Sequence, residues 1–298
     1  MRTFRGHTGF VESLAFSPVG SLVASGGSDG RVIVWNSFTG ELMNEVRMDG
    51  ENIGAVAFSP DGNHLVAGSH EGNVCFFTLS EVTDPRLSWD RRGRITALAF
   101  TPDGKTLAWS SYDGWSAHLL NWDSEWGETV LYQKGSGQLF TLRISPDGRT
   151  VAMAGSGPEI LLHDIATSAN PVRLPHGDRQ AVQCLAFSPD GRTLAAALSA
   201  SVQLWDMETH ALLDEWKDHD DVVTGVTISP DGSRLLTCSW DHTARLYEFD
   251  LVGGKRGPLV GCYDWNVGRL FDVAISPDST LAIAGGDEGD YLVAWDVE

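Results

Sequence analysis

The five residues "FSPDG" run from Phe187 to Gly191 and again from Phe58 to Gly62. Near copies begin at Phe16 ("FSPVG"), Phe100 ("FTPDG"), Ile144 ("ISPDG"), Ile228 ("ISPDG") and Ile275 ("ISPDS"). Successive starts lie 42, 42, 44, 43, 41 and 47 residues apart. Proline presets φ for a tight turn and glycine accepts a positive φ, so each copy reads as a hairpin turn. An apolar run precedes the turn, such as "VESLAF" at residues 11–16. A short run follows it, such as "LVASGG" at 22–27 or "TLAAAL" at 193–198. Then come a second tight turn (Ser28 to Gly30) and a β-rich run ending in an aromatic, such as "RVIVW" at 31–35. Short runs bounded by Gly, Pro, Asp and Ser read as strands joined by hairpins. No capped helical period interrupts them.

A period near 42 residues with four strands per unit marks a propeller blade. Seven such units account for residues 1–298, so the predicted fold is all-β, a single seven-bladed β-propeller of four-stranded antiparallel blades. The seventh unit supplies three strands before Glu298, while Arg2 to Arg5 stand unpaired ahead of the first unit. That N-terminal strand is predicted to pair in the last blade and close the ring, which removes an exposed sheet edge.

Gly6-His7 near the start, and Trp35-Asn36, Trp205-Asp206 and Trp295-Asp296 at strand ends, resemble the WD-repeat β-propeller family over the whole chain. The resemblance implies a buried hydrogen-bonded tetrad in the first unit: His7, Ser25, Asp29 and Trp35. The sixth unit comes close with His219, Thr237, Asp241 and Tyr247. In the fourth, Met153, Gly157 and His163 take the Ser, Asp and Trp places. In the third, Trp109 takes the Ser place, and either Leu119 or Trp122 ends the strand. Blades without the tetrad are expected to rest on apolar packing.

The chain carries 21 Lys and Arg against 40 Asp and Glu, a formal net charge of −19. A field of that sign repels phosphate backbones and anionic lipid surfaces, so neither nucleic acid nor membrane is expected as a partner. There is no run of 18 apolar residues to cross a membrane as a helix. "MRTFRGHTGF" has no signal-peptide h-region, so a cytoplasmic monomer is expected. The four cysteines, Cys75, Cys184, Cys238 and Cys262, lack metal-ligand spacing and read as small buried hydrophobes.

No catalytic motif is found: no G-x-S-x-G, H-E-x-x-H, P-loop or G-x-G-x-x-G. No cofactor or metal is expected. The acidic runs Asp218 to Asp221 and Asp287 to Asp290 read as solvated turns, because neither has the spacing of a calcium loop. "GGKRGP" at Gly253 to Pro258 reads as a surface insertion, and His176 and His210 as loop residues. In the family that the chain resembles, the face at the entry to the innermost strands commonly binds peptides or proteins. Register then nominates Phe10, Glu12, His70, Arg94, Tyr112, Phe140, Trp240, Arg269 and Phe271 as partner-binding residues. Five aromatics and two arginines match the composition of interface centres. The expected function is a non-catalytic protein- or peptide-binding scaffold. Two alternatives stand beside it: an enzyme or small-ligand binder with its site at the channel mouth, and a targeting or sensory module of a larger polypeptide.

Overall fold

Each repeated turn is locked by its own side chains. In Ser188-Pro189-Asp190-Gly191 the Ser188 hydroxyl donates to Asp190 Oδ1 at 2.6 Å, and Arg192 N–H donates to the same oxygen at 3.1 Å. Gly191 takes φ +72°. The same hydroxyl–carboxylate bond, at 2.5 to 2.6 Å, recurs at Asp61, Asp103, Asp147, Asp231 and Asp278. In the first unit Val19 replaces Asp, and the Ser17 hydroxyl donates instead to the Val19 carbonyl at 2.7 Å. Seven such turns set seven hairpins in one register.

The structure is a computed structural model. It describes residues 1–48, 50–80, 93–113, 116–121, 128–133, 137–167, 170–177, 180–199, 201–265, 267–287 and 291–297. Strand β1 is Arg2–Arg5. Blade 1 comprises β2 (Val11–Phe16), β3 (Leu22–Gly27), β4 (Arg31–Asn36) and β5 (Leu42–Arg47). Blade 2 comprises β6 (Ile53–Phe58), β7 (His64–Ser69) and β8 (Val74–Thr78), three strands among the described residues. Blade 3 comprises β9 (Ile95–Phe100), β10 (Thr106–Ser111), β11 (Ser116–Asn121) and β12 (Glu128–Gln133). Blade 4 comprises β13 (Leu139–Ile144), β14 (Thr150–Gly155), β15 (Glu159–Asp164) and β16 (Val172–Pro175). Blade 5 comprises β17 (Val182–Phe187), β18 (Thr193–Leu198), β19 (Val202–Asp206) and β20 (Leu212–Trp216). Blade 6 comprises β21 (Val223–Ile228), β22 (Arg234–Ser239), β23 (Ala244–Asp250) and β24 (Lys255–Tyr263). Blade 7 comprises β25 (Leu270–Ile275), β26 (Leu281–Gly286) and β27 (Tyr291–Asp296), with β1 as its outer strand. The expected ring closure is therefore present: Arg2 to Arg5 pair antiparallel with Ala294 to Tyr291.

The innermost strands β2, β6, β9, β13, β17, β21 and β25 neighbour one another in that order, and β25 returns to β2. The core lies between blades, in seven apolar clusters, each drawn from two adjacent blades. The cluster at the seam between blades 7 and 1 joins Phe4, Leu281, Ile283 and Leu292 to Val11, Val23, Ile33 and Trp35. Phe4 is fully buried, and its ring meets the Trp35 indole edge-on with centroids 5.8 Å apart.

Trp35 continues into a polar chain inside blade 1. Its Nε1–H donates to Ser25 Oγ at 2.8 Å. Ser25 Oγ lies 2.7 Å from His7 Nε2, and His7 Nδ1 lies 3.0 Å from Asp29 Oδ1. Asp29 also accepts the Thr8 N–H at 2.7 Å. Gly27 leaves the space this chain needs, since a Cβ there would stand 2.6 Å from His7 Nδ1. Blade 6 repeats the His219–Asp241 and His219–Thr237 links at 2.8 and 2.7 Å, but the Tyr247 hydroxyl donates to Asp218 at 3.2 Å instead. In blades 5 and 7, Ala196 and Ala284 hold the place of Ser25. The buried Trp205 and Trp295 N–H groups have no partner among the described residues.

Five expectations change. The third-blade hairpin is one residue longer than the first-blade one, so Leu120, opposite Leu107, takes the place of Trp35 opposite Val23. Leu119 pairs one position earlier, and Trp122 lies outside the described residues. That blade does not rest on apolar packing alone: Trp109 stacks on His118 at 5.2 Å, and His118 Nδ1 approaches Glu128 Oε1 at 2.7 Å. Lys255 to Pro258 are not an insertion but the start of β24. The Arg256 guanidinium sits over Trp216 (4.8 Å) and Tyr247 (5.1 Å) and pairs with Asp218, tying the outer strands of blades 5 and 6 by cation–π contact. Cys262 is exposed, because it lies on that outer strand, while the other three cysteines are buried. His176 is buried rather than on the surface, with Nε2 3.0 Å from the Gly157 carbonyl.

Replacing Phe4 by Ala should cost about 3–5 kcal/mol, because it empties the seam and loosens the closing strand. Urea unfolding checks this, and removal of residues 1–5 should be at least as harmful. Asp29→Ala should cost on the order of 2–4 kcal/mol by leaving His7 and the Thr8 N–H unpaired. The same group gives an acid signature. Burial pushes the Asp29 carboxyl up, but the His7 bond and the backbone bonds outweigh it and bring its pKa down to about 2. Its stabilising effect is full above the ordinary value near 3.8 and is lost as pH falls toward 2. Asp29→Asn should therefore flatten the stability loss between pH 4 and 2.

Candidate functional site

The innermost strands all start with the same irregularity. Pairing with the second strand skips one residue in every blade: Glu12, Gly54, Thr96, Phe140, Gln183, Thr224 and Phe271. A bulged residue leaves the ladder and its side chain is re-aimed. Here seven bulges turn six side chains, and the bare backbone of Gly54, toward one end of the central channel. The channel has a volume of about 1230 Å³. Phe10, Glu12, His70, Arg94, Tyr112, Phe140, Trp240 and Phe271 line it.

The aromatics form two arcs. Phe10, Phe271 and Trp240 run across blades 1, 7 and 6, with ring centroids 6.2 and 6.5 Å apart. Arg269 caps this arc, 5.4 Å from the Trp240 centroid. Tyr112 and Phe140, from blades 3 and 4, stack at 5.6 Å, and Arg94 lies 5.8 Å from the Tyr112 centroid. Between the arcs Glu12 reaches out from blade 1. Its Oε2 lies 2.9 Å from His70 Nε2 and 3.2 Å from Arg94 Nη2. Arg269 is not among the channel-lining residues and stands exposed on the rim, where its N–H donates to Asp287 Oδ1 at 2.7 Å. Phe10 is 49% exposed, while the other four rings are half-buried.

Below the mouth the channel wall holds a carboxylate that the sequence reading missed. Asp272 follows the bulged Phe271. Its Oδ2 accepts the Leu14 N–H of blade 1 at 2.8 Å, and its Oδ1 accepts the Val273 N–H at 2.9 Å. Ser13 does the equivalent between blades 1 and 2, accepting the Val56 N–H at 3.1 Å. Burial raises the Asp272 pKa to about 6, although the Leu14 bond and Arg143 work against it. "FDVAI" offers one signal in hindsight: an acid where the other units write Ser, Ala, Thr, Cys or Gly.

The acidic runs are engaged locally. Asp218 serves Arg256 and Tyr247, and Asp221 accepts the Val222 N–H at 2.7 Å. Residues 288–290 lie outside the described residues. Among the described residues no group of three or more His, Cys, Asp or Glu side chains is placed to hold a metal.

Residues 1–36, 44–78, 170–206 and 211–248 match the family described as WD domain, G-beta repeat. The chain is 24% identical over 319 residues to a guanine nucleotide-binding protein subunit beta of Arabidopsis thaliana, covering 86% of this chain and 84% of that one. It is 25% identical over 310 residues to the subunit of that name from Zea mays, covering 99% and 70%. It is also 29% identical over 163 residues to a target of rapamycin complex subunit of Schizosaccharomyces pombe, covering 54% and 50%.

Asp272 binds its proton more tightly in the folded chain than at the ordinary value of 3.8. Its favourable effect is thus full below that value and lost as pH rises through about 6. Asp272→Asn keeps an acceptor for Leu14 N–H and removes the charge. It should raise stability on the order of 1–2 kcal/mol at pH 8, reduced from the full shift by channel water, and leave pH 4 nearly unchanged. Thermal unfolding of both proteins from pH 4 to 8 checks the difference.

Proposed function

Since this chain is a WD-repeat β-propeller, we propose that it is a non-catalytic scaffold that binds a protein or peptide segment at the aromatic mouth of its channel. The observation that carries this reading is the set of five aromatics, Phe140 and Phe271 at strand-head bulges with Phe10, Tyr112 and Trp240 beside them, that line one opening instead of packing between blades. Half-buried rings set among arginines have the composition of an interface centre. The two arcs leave a cleft between them, and each arc carries one guanidinium. A bound segment would place an apolar side chain between the rings and a carboxylate on Arg94 or Arg269, a directional charge-assisted contact. Glu12 already engages Arg94, so a partner carboxylate there acts by displacing an internal one. The similarity to G-protein beta subunits and to a subunit of a larger complex supports a protein as the partner. The net charge of −19 disfavours nucleic acid. We take the working form to be a monomer in the cytoplasm.

The test is selection of a displayed peptide library on the intact chain, followed by calorimetry. Selected peptides should pair an acidic with an apolar residue. Trp240→Ala with Phe271→Ala should weaken binding by at least about 2 kcal/mol, roughly thirtyfold, with little change in thermal stability. Full affinity in the double variant would move the site to the side wall or the opposite end.

A further inference from the structure

Deeper than the mouth, one place on the innermost strands is held by a small residue in six of the seven blades. The fifth residue of each innermost strand is Ala15, Ala57, Ala99, Ala186 and Ala274 in five blades and Thr227 in the sixth. In blade 4 it is Arg143, which lines the channel. A fold that takes Ala at this place five times has no packing need for an arginine there. Arg143 donates Nη1–H to the Leu142 carbonyl at 2.9 Å and Nη2–H to Cys184 Sγ at 3.7 Å. Neither acceptor carries a charge, and most of the five guanidinium donors stay unengaged among the described residues.

The third residue of the same strand is Thr141. It is 2% exposed, it lines the channel, and its Oγ1 has no hydrogen-bond partner among the described residues. A buried hydroxyl without a partner carries a desolvation cost. Asp272 holds the equivalent place in blade 7, three steps around a seven-membered ring and so on the far side of the channel. It is the acid that the Arg143 field reaches, yet the two form no ion pair among the described residues.

We propose that this waist, between Arg143 and Thr141 on one wall and Asp272 on the other, binds a small zwitterion of the α-amino-acid class. Its carboxylate lies on the Arg143 guanidinium and the Thr141 hydroxyl. Its ammonium lies against Asp272, whose oxygens each keep a lone pair beyond the one that accepts a backbone N–H. The surrounding alanines leave room for a small side chain and offer no further charge. A simple anion would meet the Asp272 carboxylate, and a simple cation would meet Arg143. Only a ligand with both charges satisfies both walls. The site is distinct from the aromatic mouth and does not depend on a protein partner binding there.

The test uses the intact chain at pH 7.5. The protein amino acids, one at a time, are titrated by calorimetry and by thermal shift, with acetate and methylammonium as half-probes. At least one small amino acid should bind at 1:1 and raise the melting temperature saturably, at least tenfold tighter than either half-probe. Arg143→Met and Asp272→Asn should each weaken it at least tenfold, and Thr141→Val should weaken it less. Trp240→Ala with Phe271→Ala should leave it unchanged, which separates this site from the mouth. Should Arg143→Met fail to fold, Asp272→Asn and Thr141→Val carry the comparison. Absence of binding by every amino acid overturns the proposal. So do acetate or methylammonium binding equally well, or an affinity undiminished by the waist substitutions.

Discussion

The contact on which the rest depends is Phe4 against Trp35. A blade is apolar on both faces and can bury them only between two neighbours. Six of the seven gaps are filled by blades consecutive in sequence. The seventh joins residues from opposite ends of the chain, and Phe4 stands at its centre. That ring belongs to blade 7 through the pairing of β1 with β27, yet it packs on the tryptophan of blade 1. The same tryptophan anchors the His7–Asp29 chain, whose first member follows β1 by two residues. Ring closure and the one complete tetrad are therefore a single construction. Blades that lack the tetrad, blade 7 on the far side of this seam among them, hold through interblade clusters, helped in blade 3 by the Trp109–His118 stack.

Closing the ring has a second effect. It fixes seven innermost strands side by side around a channel, with their unpaired edges facing inward. The bulge at the head of each strand then acts in concert. One bulge re-aims one side chain; a ring of them collects side chains from positions up to 259 residues apart, as in Glu12 and Phe271, into one mouth. Below it, a side-chain oxygen of one blade accepts an N–H of the next at Ser13 and at Asp272. The channel is thus both a joint between blades and a lined cavity.

Polarity differs along this channel. The mouth carries arginines over aromatic rings, although the molecule as a whole is strongly acidic. Much of the excess acid serves structure, since the Asp of six repeated turns is held by a hydroxyl and a backbone N–H. Those carboxylates cap turns at the hairpins, away from the mouth. Net charge therefore says little about what the mouth would recognise, and local composition says more.

The repeated Ser-Pro-Asp-Gly turn determined blade number, strand order and closure by Arg2 to Arg5, because turn chemistry and a period near 42 are local and written seven times. The mouth residues were legible for the same reason: equal register places equal side chains at one end. Hairpin length was legible only roughly, so Leu120 rather than Leu119 faces Leu107, one residue being invisible to a period that already varies by several. Arg256 looked like a loop residue because its partners, Trp216, Asp218 and Tyr247, come from other strands and only pairing brings them under it. Asp272 and Arg143 lie 129 positions apart and match no motif. Their meeting in one channel is a product of ring geometry, which places blades 4 and 7 face to face, and no local pattern in the chain encodes that distance.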